Sequence, residues 1–172
     1  DWVVETVARY DKTMEVVFEH CAADPACRHA YPNLKREFYA LMTRLERQPA
    51  SMSNGDHLHA DAFLEVMWNS LYDVTTIRWL PLIVHEAYRG NFAPLETLTR
   101  LKPDGSGGEA MSWGMNYSVE CAEEWSPQHK ERLLSAAQGL PAAIRQSAIN
   151  HFIHMEPLCK TWAVSTEAPE CD

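Results

Sequence analysis

Apolar residues recur every three or four positions along most of this chain, and this spacing is what most constrains its fold. One face of an α-helix repeats at that interval, whereas a strand alternates at every second residue. Runs with strand alternation are nearly absent. The sequence therefore predicts an all-α fold, an irregular assembly of about six to eight helices without coiled-coil heptads. The predicted helices span residues 2–22, 31–48, 61–71, 75–89, 92–101, 109–124, 126–139 and 144–155.

Prolines and glycines set several of these boundaries. Pro49 ends the second helix, because the residue before a proline avoids the α conformation, and residues 49–58 form a polar loop. Pro81 is expected to split or kink the fourth helix, which Gly90 ends. The last helix is expected to end before Pro157.

The length of 172 residues suits one domain. Residues 165–172 are polar and contain a proline, so they are predicted to form an unstructured tail that follows one helical domain over residues 1–164.

The net charge of −9 makes nucleic acids and anionic membranes unsuitable partners, because both present negative surfaces. No apolar run approaches the ~18 residues of a membrane-spanning helix. The first residues lack the basic region of a signal peptide. The composition suits a soluble protein. Its negative charge favours a cationic ligand.

Five cysteines are present, an odd number that leaves at least one without an intrachain partner. Cys21 and Cys27 flank an Asp24-Pro25 turn, and this spacing suits a small loop that is closed by a disulfide. No C-x-x-C pair occurs, which argues against a zinc site built on cysteines. We infer an oxidising compartment.

No residues that could carry catalysis are apparent. The G-x-S-x-G elbow of serine hydrolases does not occur, and Gly105-Ser106-Gly107 has no preceding strand to hold a strained nucleophile. The sequence therefore predicts no catalytic residue in this chain.

Two histidine pairs could suggest a metal site. The first is half of a metal site, His57, His59 and Asp61, but no further ligand follows it at a fixed offset. The second comprises His151 and His154, which lie three residues apart. Surface histidines are the preferred interpretation, so no metal and no cofactor is predicted. Five tryptophans that could line a pocket are instead predicted to belong to the core or its rim. These are Trp68, Trp79, Trp113, Trp125 and Trp162.

The predicted helix over residues 109–124 begins with aromatic and apolar residues and ends with three carboxylates. At α-helical spacing, Glu120 and Glu124 share a face and Glu123 lies beside Glu120. Trp113 and Tyr117 precede them on the same stripe. Two aromatic rings and two carboxylates suit a ligand ammonium, through ion pairing and cation–π contact. From the residue types alone, the preferred interpretation is a solvated helix end that is paired with Arg or Lys, although carboxylates there oppose the helix dipole.

Four segments, taken in order, resemble the lid (cap) region of α/β-hydrolases of the tripeptidyl-aminopeptidase-like and proline-iminopeptidase-like group. The resemblance covers residues 10–164. The first segment is Cys21-Ala-Ala-Asp-Pro-Ala-Cys27 with Ala30-Tyr31-Pro32-Asn33-Leu34 and Glu37-Phe38. The second comprises Leu71-Tyr72, Leu80-Pro81-Leu82-Ile83, Ala87, Gly90 and Pro94-Leu95. The third comprises Gly114-Met115, Ser118-Val119 and Cys121-Ala122-Glu123, and the fourth is Cys159-Lys160-Thr161-Trp162.

This resemblance implies a lid without its catalytic body, since the nucleophile precedes the lid in such enzymes and the catalytic Asp and His follow it. Lid carboxylates of the aminopeptidase relatives bind the free α-amine of the peptide. The Cys-Ala-Glu match assigns that role to Glu123, and helix geometry adds Glu120 and Glu124. The resemblance also implies a Cys121–Cys159 disulfide, and it leaves Cys171 to bond to the absent body.

The expected function is therefore substrate selection by the lid of a secreted or periplasmic serine exopeptidase, whose partners are a peptide and an α/β-hydrolase domain. One alternative is the lid of an esterase or other small-molecule hydrolase, with an apolar face that includes Met67, Met111, Met115 and Trp113. Another is a free-standing helical interaction domain. An isolated lid would expose an apolar face, so dimerisation through that face is expected.

Overall fold

The computed structural model describes residues 2–101, 112–125, 127–140 and 142–162. Eleven helices occupy most of these residues, and eight of them have seven residues or more, which confirms the all-α fold class. Among the described helices, none is long and apolar enough to cross a membrane.

The elements follow one another with short connections. In chain order they are α1 (Trp2–Ala23), α2 (Pro25–Ala30), α3 (Leu34–Arg47), β1 (Ala50–Ser51), β2 (His57–Leu58), α4 (Ala60–Ser70), α5 (Val74–Ile77), α6 (Leu80–Tyr88), α7 (Ala93–Leu101), α8 (Trp113–Val119), a π-helical segment (Glu120–Glu124), α9 (Pro127–Ala137) and α10 (Ala142–Thr161).

Helix α3 carries the centre of the core. Its predicted apolar stripe is buried, and it packs against α6, α4 and α10. The Phe38 ring lies 5.4 Å from Phe18 of α1 and 6.2 Å from Phe63 of α4. Full burial of a side chain of this size contributes about 1.5–3 kcal/mol. The largest fully buried side chains are Met14, Phe38, Leu41, Met42, Leu45, Phe63, Leu64, Met67, Leu80, Leu95, Leu133 and Ile144.

Arg44 ties the end of α3 to the end of α6. Its guanidinium donates to the carbonyls of Ala87 and Tyr88, at 2.8 Å each, and lies over the Tyr88 ring at 5.8 Å. Both carbonyls lie in the last turn of α6, where the Ala87 carbonyl also accepts from the Gly90 amide at 3.0 Å, and the positive charge suits the negative end of the helix dipole. Gly90 follows with φ of +90°, the left-handed conformation that ends a helix, as the sequence predicted.

The Cys21–Cys27 disulfide is present, but the residues it encloses form more than the predicted turn. Asp24 accepts a hydrogen bond from the Cys27 amide at 2.7 Å and caps α2, and Pro25 occupies its first turn. Proline suits that position because its φ is already helical and its missing N–H would have no partner there.

The predicted polar loop over residues 49–58 contains a hairpin. Ala50 pairs with Leu58 and Ser51 with His57 in two antiparallel strands of two residues each. The turn uses Gly55 at φ of +88°. Strands this short contain no alternation that a sequence pattern could reveal.

The predicted fourth helix is two helices, as the position of Pro81 suggested. Asp73 caps α5 through the Thr75 amide, and Pro81 lies in the first turn of α6. A proline is tolerated there because an amide in the first turn has no helical acceptor. In contrast, the predicted end of the last helix before Pro157 is wrong, since α10 continues to Thr161.

Candidate functional site

The Cys121–Cys159 disulfide joins the π-helical segment to α10. Its sulfur atoms lie 2.05 Å apart, and Cys121 is only 3% exposed. The pairing agrees with what the family resemblance implied. Cys171 lies outside the described residues. The bond fixes the acidic end of the predicted 109–124 helix against the last helix of the chain.

Three aromatic rings form a row beside this disulfide. Trp113 stacks on Tyr117 with centroids 5.8 Å apart, and Tyr117 meets the edge of Trp162 at 5.9 Å. The Trp162 indole donates to the Ser118 hydroxyl at 3.0 Å, and that hydroxyl donates to the Gly114 carbonyl at 2.8 Å. The row therefore holds α8 against the end of α10.

The last turn of the predicted 109–124 helix is a π-helix over Glu120–Glu124, which we call the acidic turn. The Trp125 amide donates to the Glu120 carbonyl at 2.9 Å, five residues back rather than four. Residues 109–111 lie outside the described residues, and α8 begins at Trp113. The helix is thus shorter than predicted and changes its pitch where the carboxylates begin.

The π-turn changes the spacing on which the sequence prediction relied. A turn closed over five residues moves Glu123 farther around the helix from Glu120 than an α-turn does. It also leaves Cys121 beside Cys159 while Trp125 packs against the core. The extra residue in the turn thus accommodates both the disulfide and the partly buried Trp125.

Glu120 is half-buried and Glu123 is exposed, so the acidic turn reaches water. Neither forms an ion pair with any residue that the structure describes. The side chain of Glu124 lies outside the described residues. The expected intrachain Arg or Lys partner is therefore not seen within the described ranges.

The residues around the acidic turn expose apolar surface. Trp113 is 57% exposed, Met115 68% and Val119 47%, and we call these three residues the α8 patch. An apolar surface rimmed by carboxylates is typical of an interaction or ligand site.

The five tryptophans lie at the rim of the core or outside it rather than within it. Trp79 is 49% exposed, Trp113 is also exposed, and Trp68, Trp125 and Trp162 are partly buried. The core is filled instead by phenylalanine, leucine and methionine, which need no hydrogen-bond partner for a ring nitrogen.

The first histidine pair forms no metal site with other residues that the structure describes. His57 and His59 are both exposed, and Asp61 accepts hydrogen bonds from the Ala62 amide at 2.8 Å and from Asn150 at 3.4 Å. No group of three His, Cys, Asp or Glu suited to a metal ion occurs among the described residues. The side chains of residues 151–154 and the Gly105-Ser106-Gly107 loop lie outside the description.

A polar cleft of about 480 Å³ lies between α3, α4 and α10, and no sequence pattern predicted it. Its polar groups are mainly satisfied within the protein. The Arg145 guanidinium donates to three carbonyls at the end of α9, and Asn150 pairs with Gln146 at 2.9 Å. We therefore assign no ligand to this cleft.

A second, apolar cleft lies between α5, α6 and α7. The apolar Leu80-Pro81-Leu82-Ile83 run could have indicated it, but the same run equally predicts core. Comparison of the chain with protein families, curated proteins and solved structures found no match.

Proposed function

We propose that this chain is the substrate-selecting lid of an α/β-hydrolase of the tripeptidyl-aminopeptidase-like and proline-iminopeptidase-like group. The observation that carries the proposal is the acidic turn. Its Glu120 and Glu123 carboxylates have no cationic partner among the described residues, and they come directly after the helix that exposes Trp113. A carboxylate without a partner beside aromatic rings favours an ammonium ligand.

In this proposal, the peptide amine binds to the acidic turn. Glu120 and Glu123 accept its N–H donors, and Glu124 adds negative charge from the same turn. Trp113, which is exposed and stacks on Tyr117, offers a ring face that attracts the cation. With the amine anchored, the length of peptide between the anchor and the catalytic domain decides which bond meets the nucleophile.

The partner in this proposal is the catalytic domain of the hydrolase, which supplies the serine, histidine and aspartate. The exposed α8 patch is the surface that such a domain would cover. In isolation the chain is expected to dimerise through that patch, and sedimentation of a Met115→Glu variant should then show a larger monomer fraction than the wild type.

An esterase-type lid is the second candidate, because Trp113 and Met115 are exposed and Glu123 faces solvent. Met67, which was expected to join that apolar face, is instead fully buried in the core. An acyl pocket that was expected to use Met67, Met111, Met115 and Trp113 therefore lacks Met67 and has a smaller apolar surface.

Two disulfides are consistent with the oxidising compartment that secretion provides. We propose that the protein works outside the cytoplasm, in the periplasm or the extracellular medium.

The proposal is tested by Glu120→Gln and Glu123→Gln in the intact enzyme. At least one substitution should lower kcat/KM for peptides with a free amino terminus roughly ten- to hundredfold, because a hydrogen bond to a charged group is lost. Peptides with an acetylated amino terminus should be unaffected. Glu65→Gln, an exposed glutamate on α4, is the matched control.

If both variants keep the wild-type preference for free over acetylated peptides, the amine anchor is wrong. The lid itself is tested by the encoding open reading frame. A reading frame without G-x-S-x-G upstream and without an Asp and a His downstream would refute the hydrolase assignment.

A further inference from the structure

The apolar cleft between α5, α6 and α7 has no part in the amine-binding proposal. Its volume is about 370 Å³, within the usual size range of small-ligand pockets. The lining residues are Thr75, Thr76, Arg78, Trp79, Leu82, Ile83, Pro94, Thr97 and Leu98. No carboxylate is among them.

The hydroxyl groups of the lining threonines are already engaged within the protein. They donate from Thr75 to Asp73 at 2.8 Å, from Thr76 to the Ser70 carbonyl at 2.7 Å, and from Thr97 to the Ala93 carbonyl at 2.8 Å. A ligand therefore meets mostly methyl groups, aliphatic side chains and an indole ring. The cleft selects for an apolar body.

Among the described residues that line the cleft, Arg78 is the one cation. Its Nε donates to the Thr75 carbonyl at 3.2 Å, and its guanidinium carbon lies 5.6 Å from the centroid of the Trp79 ring. Both contacts restrain the side chain, yet its two terminal nitrogens have no hydrogen-bond partner among the described residues. A planar guanidinium held in this way suits a carboxylate, which can accept two parallel hydrogen bonds.

We propose that this cleft binds a small organic carboxylate, with its apolar body between α6 and α7 and its charged end at Arg78. The apolar lining contributes affinity through burial, and the guanidinium selects the anion over a neutral molecule of the same shape. Binding at this cleft does not depend on the proposed lid function.

The test uses 4-phenylbutyrate and its neutral amide as probes, titrated calorimetrically into the full chain at low salt. The carboxylate should bind about three- to tenfold more tightly than the amide, the size expected of a partly exposed charged pair. Arg78→Gln should remove this difference while leaving amide binding unchanged. Arg36→Gln, an exposed arginine on α3, should preserve it.

Trp79→Leu should weaken both probes, because it removes ring surface from the cleft and the contact that orients Arg78. Thermal unfolding of each variant shows whether the fold is retained. Equal affinity for acid and amide would overturn the proposal. So would identical losses in the Arg78 and Arg36 variants, or no binding of 4-phenylbutyrate at millimolar concentration.

Discussion

The Trp162 indole donates a hydrogen bond to the Ser118 hydroxyl at 3.0 Å, and this bond joins the end of α10 to α8. The Ser118 hydroxyl in turn donates a hydrogen bond to the Gly114 carbonyl, one helical turn earlier. The Gly114 Cα faces the indole closely enough that an added Cβ would lie 3.9 Å from it. The aromatic row beside the acidic turn therefore depends on a pair of residues that are 44 positions apart.

A double-mutant cycle measures this bond. Ser118→Ala leaves a partly buried indole N–H without its acceptor, and Trp162→Phe removes the donor. We expect a coupling free energy of about 0.5–1.5 kcal/mol from urea unfolding of the two single variants and the double variant. If the losses of unfolding free energy in the two single variants add up to that of the double variant, the hydrogen bond contributes nothing to stability. Ser135→Ala, an exposed serine on α9, serves as the control for a serine substitution.

The two disulfides should contribute unequally to stability. Cys121–Cys159 spans a sequence separation of 38 and Cys21–Cys27 one of 6. Since the entropy that a crosslink removes from the unfolded chain grows with loop length, paired Cys→Ser variants should lose about 4 and about 2 kcal/mol respectively. Urea unfolding of the two double variants checks the order. A larger loss for Cys21–Cys27 would contradict the loop-length account.

The sequence predicted what depends on local periodicity. The buried stripe of α3, the start of α1 and the end of α6 at Gly90 all follow from apolar spacing and a glycine that tolerates positive φ. The split before Pro81 follows from the missing amide of proline. These features need no knowledge of what the helices pack against.

The errors concern features that distant contacts decide. Helix α10 continues past Pro157 because Cys159 and Trp162 hold its end against α8, which outweighs the local cost of the proline. The π-turn at Glu120 likewise satisfies the disulfide and the packing of Trp125 together. The α-helical spacing assumed for Glu120, Glu123 and Glu124 could not include either constraint.

The contact between buried Glu37 and partly buried His85 offers a test of the core. Glu37 is 6% exposed, and its carboxylate lies 2.9 Å from Nδ1 of His85 across the α3–α6 contact. His85→Phe leaves this carboxylate buried without its donor, so we expect a loss of about 1–3 kcal/mol in urea unfolding at pH 7. Glu37→Gln, which keeps an acceptor, should lose less.

The exposed His20 provides the matched control for the histidine substitution. If His20→Phe and His85→Phe destabilise the protein equally, the Glu37 contact has no special contribution. The double variant Glu37→Gln/His85→Phe should lose less stability than the two single variants lose together. In the double variant no buried carboxylate is left without its donor.

Glu96 should make stability depend on acid pH. Hydrogen bonds from the Ser53 hydroxyl at 2.5 Å and the Ser53 amide at 2.6 Å, together with Arg100, hold the pKa of this carboxyl below its ordinary value of 4.5. The ionised form is thus favoured in the folded protein. Its contribution is fully present above about pH 4.5 and is lost as the pH falls through the lower, folded-state pKa.

Glu96→Gln should therefore lower the melting temperature at pH 7, and its deficit relative to the wild type should shrink as the pH falls below about 4.5 and the carboxylate becomes protonated. Thermal scans across that range provide the measurement, with Glu19→Gln as the exposed control on α1. Ser53→Ala should reproduce part of the same pH-dependent deficit, because it removes one of the two Ser53 donors. A deficit that stays constant with pH would show that Glu96 stabilises the hairpin through hydrogen bonds that do not depend on its charge.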